Sequence, residues 1–227
     1  MTQLDRNRQD GSAGKWVADK IAKHDNVASV TILAPNKIHV RRKKWDDVTI
    51  AAMSAHRVDA GLVQSLLSDV GDIDFVVNIP KAAYVLGNTY ELAAERNFAF
   101  GGFGDLLSAL NSESPRTYVN SEFSFVLQSL RQHSKVWRVT RLDDRRLLVE
   151  RNSLDSVVVL VLNDYELTAD HVRNGIERYG KFQAIVCSNP NSRVTTAASL
   201  AADESHIRIF NWKEFLQQLN REWTWKK

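Results

Sequence analysis

The chain has 227 residues, of which 44% are hydrophobic and 25% charged, and it carries a formal net charge of +3 with a pI of about 9.0. It is long enough for one domain or two small ones, and its mild basicity permits a polyanionic partner without requiring one. No apolar run approaches the roughly 18–20 residues that cross a bilayer, and "MTQLDRNRQDGSAGK" lacks the apolar stretch of a secretory signal. The single cysteine, Cys187, excludes an internal disulfide and a cysteine-only zinc site. We therefore expect a cytoplasmic protein.

The predicted elements of the first half begin with a helix over 13–24, followed by three strands, "SVTIL", "KIHVRR" and "DVTIAAM", which are rich in β-branched residues. A helix over 59–70 follows, with Asp59 as its N-cap and Gly71 as the glycine that ends it. A buried strand, "IDFVVNI", then leads to a helix, "YELAAERN", a short strand, "FAF", and a closing helix. Antiparallel strands followed by parallel crossovers predict a mixed sheet with helices on both faces.

The second half repeats this order of elements. When the chain is shifted against itself by 109 positions without a gap, His24 aligns with His133, Gly71 with Gly180 and Asn111 with Asn220. Periodicity alone would align apolar positions but not these residues, so the pattern predicts a tandem duplication of one α/β unit, with approximate twofold pseudosymmetry. The predicted organisation is a disordered segment over 1–11, a first unit over 12–111, a linker over 112–121 and a second unit over 122–227.

One long stretch of the second half, "FQAIVCSNPNSRVTTAASLAADESHIRIFNWKEFLQQL", resembles the C-terminal half of Mrr-type restriction endonucleases. The order of elements in each unit resembles the core of the restriction-endonuclease-like, or PD-(D/E)XK, fold. The resemblance implies two tandem units with mixed sheets, derived from a nuclease.

The metal-binding motif of that family is missing from both copies. The family places an acidic residue and a (D/E/Q)-x-K triplet on its second and third strands, where they hold a divalent metal and stabilise charge at the phosphate. The third strands here read "DVTIAAMS" and "SVVVLVLN", without an acid-x-Lys triplet. Asp46 and Asp155 recur, with Glu150 nearby, but we interpret both aspartates as turn or strand-start residues. We therefore predict a catalytically degenerate protein without a metal or another cofactor.

Two groups of cations lie near the predicted hairpins. We interpret them as phosphate contacts to a nucleic acid, most readily DNA, with little sequence preference; the alternative is a solvated hairpin surface. The candidate nucleic-acid-binding residues are Arg41, Arg42, Lys43, Lys44, Arg138, Arg141, Arg145 and Arg146.

Four other features have structural interpretations. "FGGFG" is interpreted as a strand-to-helix turn rather than a phosphate loop, because its counterpart "FNWKE" lacks glycine. Cys187 is predicted to be buried. His24 and His133 are predicted to cap the C-termini of helices. The tryptophans of "REWTWKK" are expected to pack on the body rather than stack on bases.

Three functional hypotheses follow from this sequence. The first is a non-catalytic nucleic-acid-binding or scaffold protein in DNA metabolism or anti-phage defence. The second is a metal-dependent nuclease with a migrated active site around Asp46, Asp155 or Glu150. The third is a protein-interaction module, such as an adaptor or immunity protein, that reuses the fold.

Overall fold

The computed structural model describes residues 12–223, which form two compact units that divide between Asn120 and Ser121. The predicted disordered segment 1–11 lies outside the described residues. Within residues 12–223, no helix combines the length and the apolar character that crossing a bilayer requires.

Unit 1 is built from a sheet, a pair of very short strands and flanking helices. Its elements are α1 (Ser12–Ile21), β1 (Val27–Ala34), β2 (Lys37–Arg42), β3 (Val48–Met53), β4 (Arg57–Val58), α2 (Ala60–Val70), β5 (Phe75–Asn78), β6 (Tyr84–Val85), α3 (Gly87–Glu95), β7 (Ala99–Gly102), α4 (Phe103–Leu110) and a 3₁₀ helix (Pro115–Thr117).

Unit 2 contains the same types of element in the same order, apart from the 3₁₀ helix. They are α5 (Ser121–Arg131), β8 (Val136–Arg141), β9 (Arg146–Arg151), β10 (Leu154–Leu162), β11 (Glu166–Leu167), α6 (Ala169–Tyr179), β12 (Ala184–Cys187), β13 (Arg193–Val194), α7 (Thr196–Glu204), β14 (Arg208–Asn211) and α8 (Trp212–Gln218).

The two five-stranded sheets have the same topology. The strand order is β1-β2-β3-β5-β7 in unit 1, and β8-β9-β10-β12-β14 in unit 2. In each sheet the first three strands are antiparallel, and the last three are parallel. This confirms the prediction of an α/β protein with mixed sheets.

The register of the two sheets also agrees. Ile50 pairs with Phe75 at the first parallel step of unit 1, and Val159 pairs with Ala184 at that step of unit 2, which is the same pairing shifted by 109 positions. Strands β2 and β9, and helices α2 and α6, begin and end 109 positions apart. The two units are therefore compatible with a tandem duplication.

Each sheet of unit 1 and unit 2 carries an apolar core on both faces. In unit 1, the side chains of α1 and α4 share one cluster with Ile50, whereas those of α2 and α3 share the other with Ala51. Alternate residues of a strand point to opposite faces, so neighbouring positions of β3 serve different cores. In unit 2, Val159 and Leu160 divide between two clusters in the same way.

The predicted ends of α2 are confirmed, and α6 ends at the glycine that aligns with Gly71. The helix predicted over 13–24 ends earlier, at Ile21. Asp59 Oδ1 accepts a hydrogen bond from the Leu62 N–H at 2.8 Å, as an N-cap should. Gly71 and Gly180 end α2 and α6 with φ values of 71° and 73°, a conformation that costs side-chain-bearing residues free energy.

The segment predicted as a linker, 112–121, is mostly part of unit 1 in the structure. Pro115 is buried, and the ring centroid of Tyr118 lies 6.4 Å from that of Phe75. Arg116 Nε donates to Asp74 Oδ1 at 2.7 Å, and α5 of unit 2 begins at Ser121. Polar composition suggested a free linker, but one proline, one arginine and one tyrosine hold this segment in place.

Candidate nucleic-acid interface

The third strand of each unit holds buried apolar side chains where the sequence resemblance led us to look for a catalytic triplet. Ala51, Ala52 and Met53 in β3 are buried, as are Leu160 and Val161 in β10. These residues belong to the cores on the two sides of the sheets. Among residues 12–223, no group of three histidine, cysteine, aspartate or glutamate side chains is placed to hold a metal ion.

The recurring aspartates lie where the turn after the second strand meets the third strand. Both side chains are exposed, and both backbone carbonyls accept a hydrogen bond from a buried arginine. The Arg42 Nε donates to the Asp46 carbonyl at 2.6 Å, and the Arg151 Nε donates to the Asp155 carbonyl at 2.7 Å. The structure therefore places both aspartates at the turn or strand start, as predicted.

Arg42 is a structural clamp, although we predicted it to be a phosphate contact. Its side chain is buried, and its Nη1 and Nη2 donate to the carbonyls of Ser112 and Glu113 at 2.6 and 3.2 Å. Burial lowers the pKa of the Arg42 guanidinium, and nearby carboxylates oppose this change. Arg151 is the counterpart in unit 2, where its Nη1 donates to the Arg221 carbonyl at 2.7 Å, and burial likewise lowers its pKa.

The turn between β2 and β3 in unit 1 exposes three cations. Arg41, Lys43 and Lys44 are exposed, and no hydrogen bond or ion pair with another residue in the described range 12–223 holds their side chains. Lys44 Nζ lies 4.3 Å from the centroid of the Trp45 ring, which is half-buried and also lies within 5.5 Å of the Arg42 guanidinium. We call Arg41 to Trp45 the basic turn.

The backbone of the basic turn is held by an asparagine from the neighbouring loop. The Asn26 carbonyl accepts from the Lys43 N–H at 2.8 Å, and its Oδ1 accepts from the Lys44 N–H at 3.2 Å. Asn26 Nδ2 in turn donates to the Leu110 carbonyl at 2.6 Å, at the end of α4. The backbone of the basic turn is therefore held in place, and the side chains of Arg41, Lys43 and Lys44 extend from it. Asn26 could not be identified from the sequence, because a single asparagine in a loop gives no distinctive signal.

Two carboxylates lie beside the basic turn. Asp46 and Asp47 are exposed, and Asp47 Oδ2 lies 3.2 Å from His39 Nε2. These carboxylates offset part of the charge of Arg41, Lys43 and Lys44. The net positive charge around the basic turn is therefore small.

The candidate cations of unit 2 are engaged within that unit. Arg141 donates to the carbonyls of Asp143 and Asp144, and its guanidinium lies 4.0 Å from the Phe123 ring centroid. Arg145 Nη1 lies 3.1 Å from Glu122 Oε1, and Arg146 Nε donates to Asp143 Oδ2 at 2.8 Å.

Arg138, the fourth cation of this group, is exposed, and its Nε lies 3.6 Å from Glu150 Oε2. Arg138 therefore keeps most of its surface available, whereas Arg141, Arg145 and Arg146 use their donors to hold the β8–β9 hairpin.

The two groups of cations occupy non-equivalent ends of their sheets. Arg41 to Lys44 lie at the turn after the second strand, whereas Arg141 to Arg146 lie at the turn after the first. Successive turns of an antiparallel meander fall at opposite ends of the sheet. The counterpart of the basic turn is 150–154, "ERNSL", whose only cation is the buried Arg151.

A polar cluster in unit 2 was not predicted from the sequence. Ser188 Oγ donates to Glu122 Oε1 at 2.8 Å, and the same carboxylate accepts from Arg145. Asp143 is fully buried and accepts from the N–H groups of Arg145 and Arg146 at 3.0 and 2.7 Å. These residues are far apart in sequence, or lie in a turn, and show no motif that would have grouped them.

The glycine-rich turn and the cysteine behave as predicted. A Cβ on Gly101 would lie 2.6 Å from the Cβ of Asp105, so glycine lets this aspartate fold back and accept from the Gly102 N–H at 3.0 Å. Asn211 and Glu214 form the equivalent capping box in unit 2. Cys187 is buried, and burial raises the pKa of its thiol.

The two recurring histidines accept hydrogen bonds at the ends of their helices. His24 Nδ1 accepts from the Asn26 N–H at 3.3 Å, and His133 Nδ1 accepts from the Lys135 N–H at 3.2 Å. Both rings therefore stabilise the turn that follows the helix.

The C-terminal tryptophans are described in part. Trp223 Nε1 donates to the Gln218 carbonyl at 2.9 Å, and its ring packs on Phe210, as expected for a docked side chain. Trp225 lies outside the described residues.

No protein-family model matches the chain, and no curated protein or solved structure matches it.

Proposed function

We propose that this chain is a non-catalytic nucleic-acid-binding protein, and that the basic turn of unit 1 supplies its phosphate contacts. The observation that carries the proposal is the exposure of Arg41, Lys43 and Lys44 on a turn whose backbone is fixed by Asn26. Exposed cations attract the phosphate backbone and release condensed counterions when they bind it. A fixed turn lowers the ordering cost of such contacts.

The proposal includes a degenerate restriction-endonuclease-like origin for both units. Its supports are the resemblance of the sequence, the meander-then-crossover topology and the aliphatic residues at the third-strand triplet positions. A strand that has only aliphatic side chains there supplies neither a metal ligand nor a lysine for phosphate chemistry. The protein would then bind the polymer and leave it intact.

Trp45 extends the proposed contact beyond phosphates. Its indole is half-buried beneath Lys44. Aromatic rings beside cations stack on exposed bases of single strands, whereas duplex bases are not accessible to them in this way. We therefore expect binding to both forms, with a preference for single strands that depends on Trp45.

The test is salt-dependent binding to labelled DNA. If three side chains contact phosphates, the slope of log K against log[salt] for a duplex is about −2.7. The triple variant Arg41→Glu, Lys43→Glu, Lys44→Glu should lose both the affinity and the slope. Arg138→Glu, a charge reversal at an exposed cation of unit 2, tests a site outside the basic turn and should keep most of the affinity. Equal losses in the two variants would contradict the assignment to unit 1.

A cleavage assay separates this proposal from the nuclease hypothesis. The same DNA is incubated with magnesium or manganese under conditions in which binding is complete. The proposal predicts intact DNA. Cleavage that disappears in Asp46→Asn or Asp155→Asn would replace it with the migrated-site nuclease.

A further inference from the structure

The segment that joins α5 to β8 in unit 2 exposes two cations and a tryptophan. Arg131 and Lys135 are exposed, and no hydrogen bond or ion pair within residues 12–223 holds either side chain. Trp137 is 63% exposed, more than any other large hydrophobic residue in the described part of the chain. We call residues 131–137 the tryptophan loop.

Trp137 is exposed because it is the extra residue of a β-bulge. The pairing of β8 steps from Val136 to Arg138 while β9 advances by one residue, so Trp137 has no partner in β9. A bulge redirects a side chain out of the regular alternation of its strand. The same irregularity occurs at the equivalent place in β1, where the extra residue is Ala28. The two units therefore share the bulge, and only unit 2 places an aromatic ring on it.

The tryptophan loop contacts the turn between β9 and β10 as the equivalent loop of unit 1 contacts the basic turn. The Lys135 carbonyl accepts from the Asn152 N–H at 2.8 Å, and the Asn26 carbonyl accepts from the Lys43 N–H at 2.8 Å. By the shift of 109 positions, Lys135 aligns with Asn26, and Asn152 aligns with Lys43. The backbone contact is therefore the same in both units, while the lysine and the asparagine have changed places.

The asparagine holds the segment that carries the lysine in each unit. In unit 1, Asn26 Oδ1 accepts from the Lys44 N–H of the basic turn at 3.2 Å. In unit 2, Asn152 Nδ2 donates to the carbonyl of Ser134, the residue before Lys135, at 3.0 Å. A held backbone lowers the ordering cost of a contact that its side chains make. The tryptophan loop thus has the properties for which we assigned the basic turn to phosphate binding, namely exposed cations on a held backbone.

The charge of the tryptophan loop is positive. Segment 131–138 contains three cations and no carboxylate, whereas the aligned segment 22–29 has one lysine and one aspartate. Glu150 Oε2 lies 3.6 Å from Arg138 Nε and offsets that arginine. Asp155 is exposed after the β9–β10 turn, as its counterpart is in unit 1. The cations available to a ligand of the tryptophan loop are therefore those at 131 and 135.

We propose that the tryptophan loop is a second nucleic-acid site, which takes single strands. Trp137 stacks on one base, and Arg131 and Lys135 contact the neighbouring phosphates. The bases of a duplex are not accessible to the ring in this way, and two cations alone hold a duplex weakly. The ligand class rests on the proposed function, to which this inference adds a site in the other unit. The chain then has two separate sites, of which only the basic turn also binds duplexes.

The test is an NMR titration of the full chain with a short oligothymidylate, in which the two sites report separately. Backbone amides at 131–137 and the indole N–H of Trp137 report on the tryptophan loop, and backbone amides at 41–45 report on the basic turn. Both sets of signals should shift. Trp137→Ala should weaken the response of the tryptophan loop by about tenfold, within the range of one stacked base, and leave that of 41–45 unchanged.

Two variants serve as controls. Trp137→Phe keeps an aromatic ring and should retain most of the affinity of the tryptophan loop. Because Trp137 is mostly exposed, neither replacement should change the melting temperature. The triple variant of the basic turn should keep the response at 131–137.

Two other ligands separate the possible outcomes. A short duplex should shift signals at 41–45 and leave the indole signal of Trp137 in place, and poly-glutamate should also leave that indole signal in place. Absence of a response to oligothymidylate at 131–137 would overturn this proposal, whereas absence of a response at 41–45 would overturn the proposed function. If poly-glutamate shifted the indole signal as much as oligothymidylate does, the site would belong to an acidic protein segment instead.

Discussion

Unit 1 and unit 2 agree in their interior and differ at their surface. Both have the same strand order, the same parallel register and a buried arginine that binds the backbone of the third-strand turn. The basic turn of unit 1 has no equivalent in unit 2, where positions 150–154 hold one cation, the buried Arg151. Close packing restricts what can change inside a fold, so we look for function where two units of the same topology differ.

The core itself contains one compensated exchange, which gives the largest expected effect. Unit 1 has Ala51 and Leu66 in one cluster, and the corresponding residues of unit 2 are Leu160 and Gly175. A Cβ on Gly175 would lie 2.8 Å from Leu160 Cδ2, so the leucine fills the space that glycine leaves. Leu160→Ala should reduce the free energy of unfolding by about 3 kcal/mol.

The double variant Leu160→Ala, Gly175→Leu recreates the pair of unit 1 and should recover much of that loss. Gly175→Leu alone should destabilise by roughly 1–3 kcal/mol through overpacking. Urea titrations of the four proteins give the coupling free energy. If the losses of unfolding free energy in the two single variants simply add in the double variant, the side chains at 160 and 175 do not compensate for each other.

Of the two buried arginines, Arg42 should contribute more to the stability of the chain than Arg151. Arg42 binds the carbonyls of Leu110, Ser112 and Glu113 as well as that of Asp46. Arg151 binds two carbonyls with its Nε and Nη1. Since each buried carbonyl left unpaired costs about 1–3 kcal/mol, Arg42→Ala should destabilise the chain more than Arg151→Ala. The melting temperatures of the two variants measure this difference. Equal melting temperatures, or a lower one for Arg151→Ala, would contradict the prediction.

The two helix-ending glycines should respond alike. Gly71 and Gly180 have positive φ values and ψ values of −146° and −131°, a region that is strained for other residues. Replacement of either by alanine should cost about 1–2 kcal/mol. Gly104→Ala is the control, because the space beside this helical glycine is open, and there alanine should be neutral or stabilising. If Gly71→Ala and Gly180→Ala lost clearly different amounts of unfolding free energy, the two helix ends would not be equivalent.

The half-buried Tyr179 should make the stability of unit 2 sensitive to alkaline pH. Unit 1 has Val70, which does not titrate, at the equivalent position. Burial raises the pKa of Tyr179 well above its usual value, and Asp144, which accepts its hydrogen bond at 2.8 Å, adds to the effect. The unfolded chain loses this proton near pH 10 while the folded chain keeps it. The stabilisation is therefore present below about pH 10 and is lost as the pH rises further.

Tyr179→Phe should flatten this alkaline loss of stability and lower stability at neutral pH by about 1 kcal/mol through the lost hydrogen bond. Tyr165→Phe, an exposed tyrosine of the same unit, is the control and should leave the pH profile unchanged. The free energy of unfolding of each variant, measured from pH 7 to 11, gives both the neutral-pH stability and the pH profile. An unchanged profile in Tyr179→Phe would assign the alkaline sensitivity to other groups.

The sequence predicted the interior better than the surface. β-branched runs, helix caps and terminating glycines are local signals, and the strands, Asp59, Gly71 and Gly180 appear where these signals placed them. The exposure of a cation depends on partners that are distant in sequence. Arg42 and Lys43 are adjacent in a basic run, but only the first is buried, because Ser112 and Glu113 approach it.

The most direct test of the account is a backbone NMR titration of the full chain with a short DNA duplex at two salt concentrations. The account predicts chemical-shift changes that concentrate at 41–45, weaken with salt, and are absent from the equivalent positions 150–154. Changes of similar size in the two segments, or changes centred on Arg141 to Arg146, would contradict the claim that the two copies share an interior and differ in this surface.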